Sequence, residues 1–285
     1  MENILEETKI IMKKYNIKAN KNLGQNFLIN EEVINNIITS SEISKNDLII
    51  EIGPGLGTLT KRLLEKAGKV ICIELDTNMI EILENRFFLY KNLEIINQDI
   101  LKFDLKNKIK EEKENSGFEK VKIVANLPYY ITTPIIMKLL EEELDLESIT
   151  VMIQKEVADR LTAIPGEKNT GAITYTVYYY SSSKEIMEVP NNSFIPEPEV
   201  TSEIIKLDIR KEKIVEPKDK EKMFKIIKYA FMQRRKTLLN SLVNNHILKN
   251  KQQGIDILKE LNINENIRPE ELTLEQFAQI SDFLL

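Results

Sequence analysis

EIGPGLGTLT, residues 51–60, joins an apolar, β-branched run, Leu48–Ile50, to a helix-like segment, LTKRLLEKAG. Gly53, Gly55 and Gly57 allow a sharp turn at a strand's end and let a ligand approach the main chain. The helix start that follows offers unpaired N–H groups and partial positive charge to an anion. The spacing is not that of the G-x-G-x-x-G dinucleotide pattern: the third glycine comes one place early, and Thr58 holds its position. A small anion such as an amino-acid carboxylate therefore suits the turn better than a pyrophosphate. A purely structural glycine turn is the competing reading.

Outward from this turn, strand-like and helix-like segments alternate. KVICIEL precedes MIEILENRFFLYK; LEIINQDI precedes a charged stretch around KIKEEKENSG. KIVANL precedes IIMKLLEEEL, and SITVMIQK precedes EVADRLTAI. Such alternation predicts βαβ units: an α/β fold with a mostly parallel sheet and helices on both faces. AITYTVYYY, EIMEV and VTSEIIKLDI alternate apolar and polar residues, and are expected to be antiparallel strands at the sheet's end. After KEKIVEPKDKEK the pattern becomes helical to Leu285. Two domains are expected: residues 1–210, and a small all-helical domain over 211–285.

The 285 residues are 42% hydrophobic, enough for a real core. No apolar run approaches the roughly 20 residues of a membrane span, and MENILEETKI has no signal-peptide block. With one cysteine, no internal disulfide is possible, which fits a reducing cytoplasm. Cys72 reads as a buried, inert thiol and His246 as a solvated residue. One His and one Cys also argue against a metal site and against a Ser-His or Cys-His nucleophile. Net charge is −5, yet the charge is sorted. Residues 8–30 hold Lys9, Lys13, Lys14, Lys18 and Lys21 and no acid; residues 222–255 hold eight basic residues and no acid. Sorted positive charge is the footprint of phosphate binding, although basic helix faces are often only solvated.

Glu74 ends the next strand, about 20 residues past the glycines, where doubly wound folds accept ribose hydroxyls. Asp99 ends the third strand, placed to accept an exocyclic amine. Each, taken alone, reads equally well as a solvated loop acid. Together with the glycine turn they describe one ligand carrying a carboxylate, a ribose and an adenine: S-adenosylmethionine. NLPYYITTP, residues 126–134, stands at the end of the fourth strand. Thr133 and Pro134 are explained by a helix start; Asn126, Pro128 and Tyr129 are not. An adenine N6 amine is a poor nucleophile, because its lone pair is delocalised. The Asn126 oxygen and a carbonyl near Leu127 or Pro128 would accept both its N–H groups and aim the lone pair outward. Pro128 adds rigidity, and Tyr129 would stack on an extruded base.

LGQNFL (23–28), EIGPGLG, IELD (73–76), QDIL, NLPYYITTP and FIPEPEVTS (194–202) occur in this order. Over about residues 18–240 they resemble the ribosomal RNA adenine dimethyltransferases, most closely the 16S (small-subunit) branch. The resemblance implies a Rossmann-like, class I methyltransferase domain, and implies S-adenosylmethionine contact for Asn26, Leu28, Gly53, Gly55, Glu74, Asp99 and Asn126. It implies that Phe194 faces the target base opposite Tyr129, although the residue alone reads as core. It further implies dimethylation of two adjacent adenosines in a hairpin near the 3′ end of 16S rRNA, on an assembling small subunit. Tyr130 departs from the pattern, since many relatives carry Asn there. In the helical domain, Lys222, Lys225 and Lys228 flank an apolar stripe, and Arg234, Arg235 and Lys236 are expected to meet RNA phosphates. A metal-free, cytoplasmic monomer is expected. The competing readings are a large-subunit dimethyltransferase of the antibiotic-resistance type, a non-catalytic RNA-binding assembly factor and, more distantly, a dinucleotide-dependent dehydrogenase.

Overall fold

The computed structural model describes residues 3–19, 24–167, 169–233 and 236–284. The chain divides into two compact units: Met1–Ala158 with Ser183–Ile209, and Asp159–Ser182 with Arg210–Leu285.

In the first unit, α1 (Ile4–Lys14), β1 (Phe27–Leu28) and α2 (Glu31–Ser40) precede β2 (Asp47–Ile52). Then follow α3 (Thr58–Lys66), β3 (Lys69–Glu74), α4 (Thr77–Phe87), β4 (Leu93–Asn97), α5 (Leu105–Ser116), β5 (Lys120–Asn126), α6 (Thr132–Glu141) and β6 (Ser148–Gln154). β2 is buried along its whole length and β6 nearly so, which is why both read as continuous apolar runs rather than alternating ones. The seven-stranded sheet runs β4-β3-β2-β5-β6-β9-β7, with β7 (Ser181–Val189) and β9 (Ser202–Ile209) closing its far end. β2 to β6 are parallel, while β9 pairs antiparallel with β6 in the register Met152↔Ile204. The strand order reverses between β2 and β5. In an open α/β sheet the crevice for a ligand lies there, beyond the carboxyl ends of those strands. At the opposite, amino end, the buried Lys122 Nζ lies 2.9 Å from Asp47 Oδ2 and ties β5 to β2.

β1 forms a separate antiparallel pair with β8 (Phe194–Ile195). Neither two-residue strand has a periodicity from which it could be read.

The second unit contains the end of α7 (Lys155–Thr162), α8 (Ala172–Tyr180), α9 (Lys220–Phe231), α10 (Leu238–Asn244), α11 (Lys251–Glu260) and α12 (Leu274–Phe283). The segment AITYTVYYY, expected as a strand, is the helix α8. Its β-branched and aromatic residues favour strand, but Tyr175 and Tyr179 stand one turn apart and both enter the cluster built on Met223, Ile226 and Phe277. Packing overrides propensity here. The Tyr175 hydroxyl donates to the Leu272 carbonyl at 2.6 Å, so the buried phenol is satisfied. Residues 159–182 thus group with the helical unit, not with the 1–210 segment expected to contain them. α9 buries Met223, Ile226, Ile227 and Ala230 and leaves Lys225 and Lys228 exposed, the amphipathic pattern expected.

Candidate active site

Ten residues singled out from the sequence line one cleft of the first unit: Asn26, Leu28, Gly53, Gly55, Glu74, Asp99, Asn126, Leu127, Pro128 and Tyr129. They come from the carboxyl ends of β2, β3, β4 and β5 and from the 24–28 segment.

All three glycines after β2 have positive φ, so the turn needs them. Gly57, the N-cap of α3, is the most constrained. A Cβ there would lie 2.5 Å from the Phe87 ring and 2.8 Å from Leu83. The glycine N–H groups are already used: Gly53 donates to Ile73 O, Gly55 to Glu74 Oε2 and Gly57 to Pro54 O. The anion-facing donors are therefore those of α3 itself. Its N-cap supplies no side-chain bond, and its residues Thr58 and Leu59 line the cleft.

Glu74 is 8% exposed. Besides Gly55 N–H, it accepts from Leu75 N–H at 2.8 Å and Asp76 N–H at 2.9 Å. Burial raises its pKa, and these three bonds oppose the shift. The carboxylate is thus fixed in place, with acceptor capacity remaining mainly on Oε2. One oxygen of Asp99 accepts from Leu101 N–H at 2.9 Å, and the apolar residues Ile73, Leu75 and Ile100 line the same cleft.

Asn126 ends β5, and its Nδ2 donates to the Asn26 carbonyl at 3.3 Å. That bond engages the amide nitrogen of a residue that lines the cleft. The sequence left two backbone carbonyls as possible partners for Asn126. The Pro128 carbonyl is engaged, accepting from Ile131 N–H at 3.2 Å and Thr132 Oγ1 at 3.0 Å. Of the two, the Leu127 carbonyl is therefore the remaining candidate. Tyr129 is held by a hydroxyl–hydroxyl bond to Ser202 of 2.5 Å. Burial raises the phenol's pKa, and the Ser202 bond opposes that rise.

Gln25 Nε2 donates to Asp76 Oδ2 at 3.0 Å, anchoring the 24–28 segment beside the end of β3. Leu23, at the head of LGQNFL, lies outside the described residues.

Phe194 is not in the cleft. It is 1% exposed, pairs with Leu28 across the β1–β8 ladder, and belongs to the same core cluster as Leu28, Val33 and Ile204. The ring backs β1, whose Leu28 lines the cleft. FIPEPEVTS meets the cleft lining at both ends: Phe194 and Ile195 pair with Leu28 and Phe27, and Ser202 bonds Tyr129.

Sequence reasoning missed Glu51. It lines the cleft at 1% exposure, and its Oε2 accepts from Thr60 Oγ1 at 2.6 Å and from Cys72 Sγ at 3.5 Å. Its signal was available: an acid inside an otherwise apolar strand. Burial lifts its pKa to about 7, with the nearby Glu74 adding to the rise and the Thr60 and Cys72 bonds opposing it. Since this folded value lies above the ordinary 4.5, the native state binds the extra proton between those pH values, and stability falls as pH rises through that window. Glu51→Gln should accordingly gain stability relative to the parent on going from pH 5 to pH 8, by on the order of 3 kcal/mol. Urea unfolding of both proteins at the two pH values checks this; a difference independent of pH would contradict it.

Of the basic cluster, Lys236 is exposed in the second unit, whereas Arg234 and Arg235 lie outside the described residues. No helix among the described residues is long and apolar enough to cross a membrane.

The chain matches the family model described as "Ribosomal RNA adenine dimethylase" over residues 16–285. It is 47% identical to the "Ribosomal RNA small subunit methyltransferase A" of Clostridioides difficile, covering 97% of this chain and 94% of that one. It is 48% identical to the protein of the same name from Clostridium botulinum, covering 96% and 97%. Among solved structures it resembles a dimethyladenosine transferase from Plasmodium falciparum, with a TM-score of 0.73 and 27% identity, covering 89% of this chain and 95% of that one.

Proposed function

The chain belongs to the ribosomal RNA adenine dimethylase family, and from that premise we propose that it converts two adjacent adenosines of 16S rRNA to N6,N6-dimethyladenosine on the assembling small subunit. S-adenosylmethionine is the family's methyl donor, and the cleft fits it. A buried carboxylate with spare acceptor capacity, an uncapped helix start and an apolar wall ending in a second carboxylate suit a diol, an amino-acid carboxylate and an adenine. Bound there, S-adenosylmethionine supplies an electrophilic methyl group on a positively charged sulfur.

The chain's own residues do the rest. Glu74 accepts from the ribose hydroxyls and Asp99 from the adenine amine of the methyl donor. Asn26 and Leu28 close over it. Asn126 Oδ1 and the Leu127 carbonyl accept both N–H groups of the target base, turning the nitrogen lone pair out of the ring. Tyr129, steadied by Ser202, stacks on that base. Positioning and fixed dipoles supply most of the rate. No strong base is required, because the alkylated amine is acidic enough to lose its proton to water. This reaction asks for no metal, and a cytoplasmic monomer fits it.

The observation that supports this reading most is the Asn126–Asn26 bond, which engages the amide nitrogen and so leaves the amide oxygen to accept. Recombinant protein with methyl-labelled S-adenosylmethionine should label adenosine in small subunits that lack the modification, and should leave purified large-subunit RNA unlabelled. Absence of transfer to the small subunit would oppose the proposal; labelling of the large-subunit RNA instead would favour the antibiotic-resistance branch.

The helical unit is assigned to RNA phosphates through Arg234, Arg235 and Lys236. Replacing both arginines with alanine should weaken RNA binding and lower the slope of log affinity against log salt by about 2, close to one per lost phosphate contact. An unchanged slope in a binding titration would place the contact surface elsewhere.

A further inference from the structure

We propose that Tyr130 is a stacking platform at the mouth of the cleft for the adenosine adjoining the one being methylated. This rests on the function proposed above, whose substrate is a pair of neighbouring adenosines.

Tyr130 lines the cleft and yet is 55% exposed. It follows Tyr129 directly, so the two Cα atoms are only about 3.8 Å apart. The turn closed by Ile131 N–H on the Pro128 carbonyl carries both tyrosines. They differ in environment. The Tyr129 hydroxyl is tied to Ser202, while the Tyr130 ring lies against the backbone of Gly24, where even a Cβ would come within 3.3 Å of its Cδ1. The packing against Gly24 steadies one part of the ring and leaves more than half of the residue open to solvent. The open ring surface beside a base-sized cleft is shaped to receive a flat group.

The substrate supplies that flat group. Drawing one adenosine out of the strand deprives its neighbour of a stacking partner. An exposed tyrosine replaces that partner, and does so for any base, since every base has a π-face. With one adenosine against Tyr129, the next rests on Tyr130, which holds the pair in register for the second adenosine to take its turn.

The competing explanation is that Tyr130 merely supports the 24–28 segment over the methyl donor. Three variants separate the two: Tyr130→Phe, Tyr130→Leu and Tyr130→Ala. A platform requires that Phe retain wild-type behaviour. Leu, similar in bulk but without a π-face, and Ala should raise KM for small subunits about tenfold and leave a larger share of product with only one adenosine dimethylated, as read by mass spectrometry. S-adenosylmethionine affinity by calorimetry should stay within a few-fold in all three. A hairpin carrying 2-aminopurine at the neighbouring position gives a readout independent of methyl transfer: its fluorescence should be quenched on binding wild type and Tyr130→Phe, and not on binding Tyr130→Leu. Equal quenching by Leu and Phe, or parallel loss of S-adenosylmethionine affinity, would overturn the platform. Inactivity of the wild type on small subunits, with quenching intact, would instead count against the proposed function and leave the platform standing.

Discussion

Asn126→Ala should lower the single-turnover rate of adenosine methylation about 10²–10³-fold, the usual cost of removing one fixed polar group aimed at developing charge. Its effect on S-adenosylmethionine affinity should be a few-fold at most. The asymmetry follows from where the side chain is tied. Its Nδ2 donates to the Asn26 carbonyl, a single bond of 3.3 Å to the segment expected to cover the methyl donor. Its Oδ1 is the group offered to the target amine. Asn126→Asp makes the comparison sharper, because it keeps an acceptor oxygen but turns a second one toward the Asn26 carbonyl, where two acceptors repel. That variant should lose affinity for S-adenosylmethionine as well as rate. Rapid-quench assays with calorimetry on the same preparations measure both quantities. Unchanged turnover in Asn126→Ala would remove the amide from the mechanism.

The second large effect concerns the other end of the same two strands. Lys122→Ala should destabilise the protein by about 3–5 kcal/mol, because it leaves a buried charge without its partner. Lys122 and Asp47 have side chains only 5% and 3% exposed. The ammonium also donates to the Glu42 carbonyl at 2.6 Å, and Asp47 accepts from Ser44 N–H at 2.8 Å. With the lysine gone, Asp47 keeps a single backbone donor. The double variant Asp47→Asn with Lys122→Met should recover most of the loss, since apolar or neutral replacements of a buried pair are often nearly neutral. Urea titrations of the single and double variants check this; equal midpoints for the parent and Lys122→Ala would show that the pair contributes little. The pair matters to the site because β2 and β5 carry the glycine turn and Asn126 at their far ends.

How far the sequence disclosed this arrangement depends on the kind of signal each residue carries. β2, β3, β5 and β6 were legible because buried parallel strands are runs of Ile, Val and Leu bounded by turn residues. Glu74, Asp99 and Asn126 were legible for a related reason, as polar groups placed where such runs end. The three glycines were legible as a turn at a strand's end; only the structure shows that neither the backbone angles of Gly57 nor its contact with Phe87 would tolerate a side chain. What escaped reading depended on long-range packing. AITYTVYYY has the composition of a strand, and only the cluster around Met223 and Phe277 makes it a helix. Phe194 carries no local mark to tell a ring facing a base from one packed behind Leu28. The bond from Tyr129 to Ser202 spans 73 residues, and the bond from Asn126 to Asn26 spans 100. Such pairings have no periodicity. Glu51 is a different case: the strand displayed it openly, but an acid in a buried strand reveals its purpose only once Thr60, Cys72 and the cleft are seen around it.

The central claim is that one side-chain amide oxygen and one neighbouring peptide carbonyl grip the amine that receives the methyl group. A crystal structure of the protein with S-adenosylhomocysteine and an adenosine-bearing hairpin tests it directly. The expected result is an adenine whose N6 donates to both Asn126 Oδ1 and the Leu127 carbonyl, with the Tyr129 ring stacked on the base. An adenine bound in the cleft with N6 directed away from Asn126, or held by other acceptors, would contradict it.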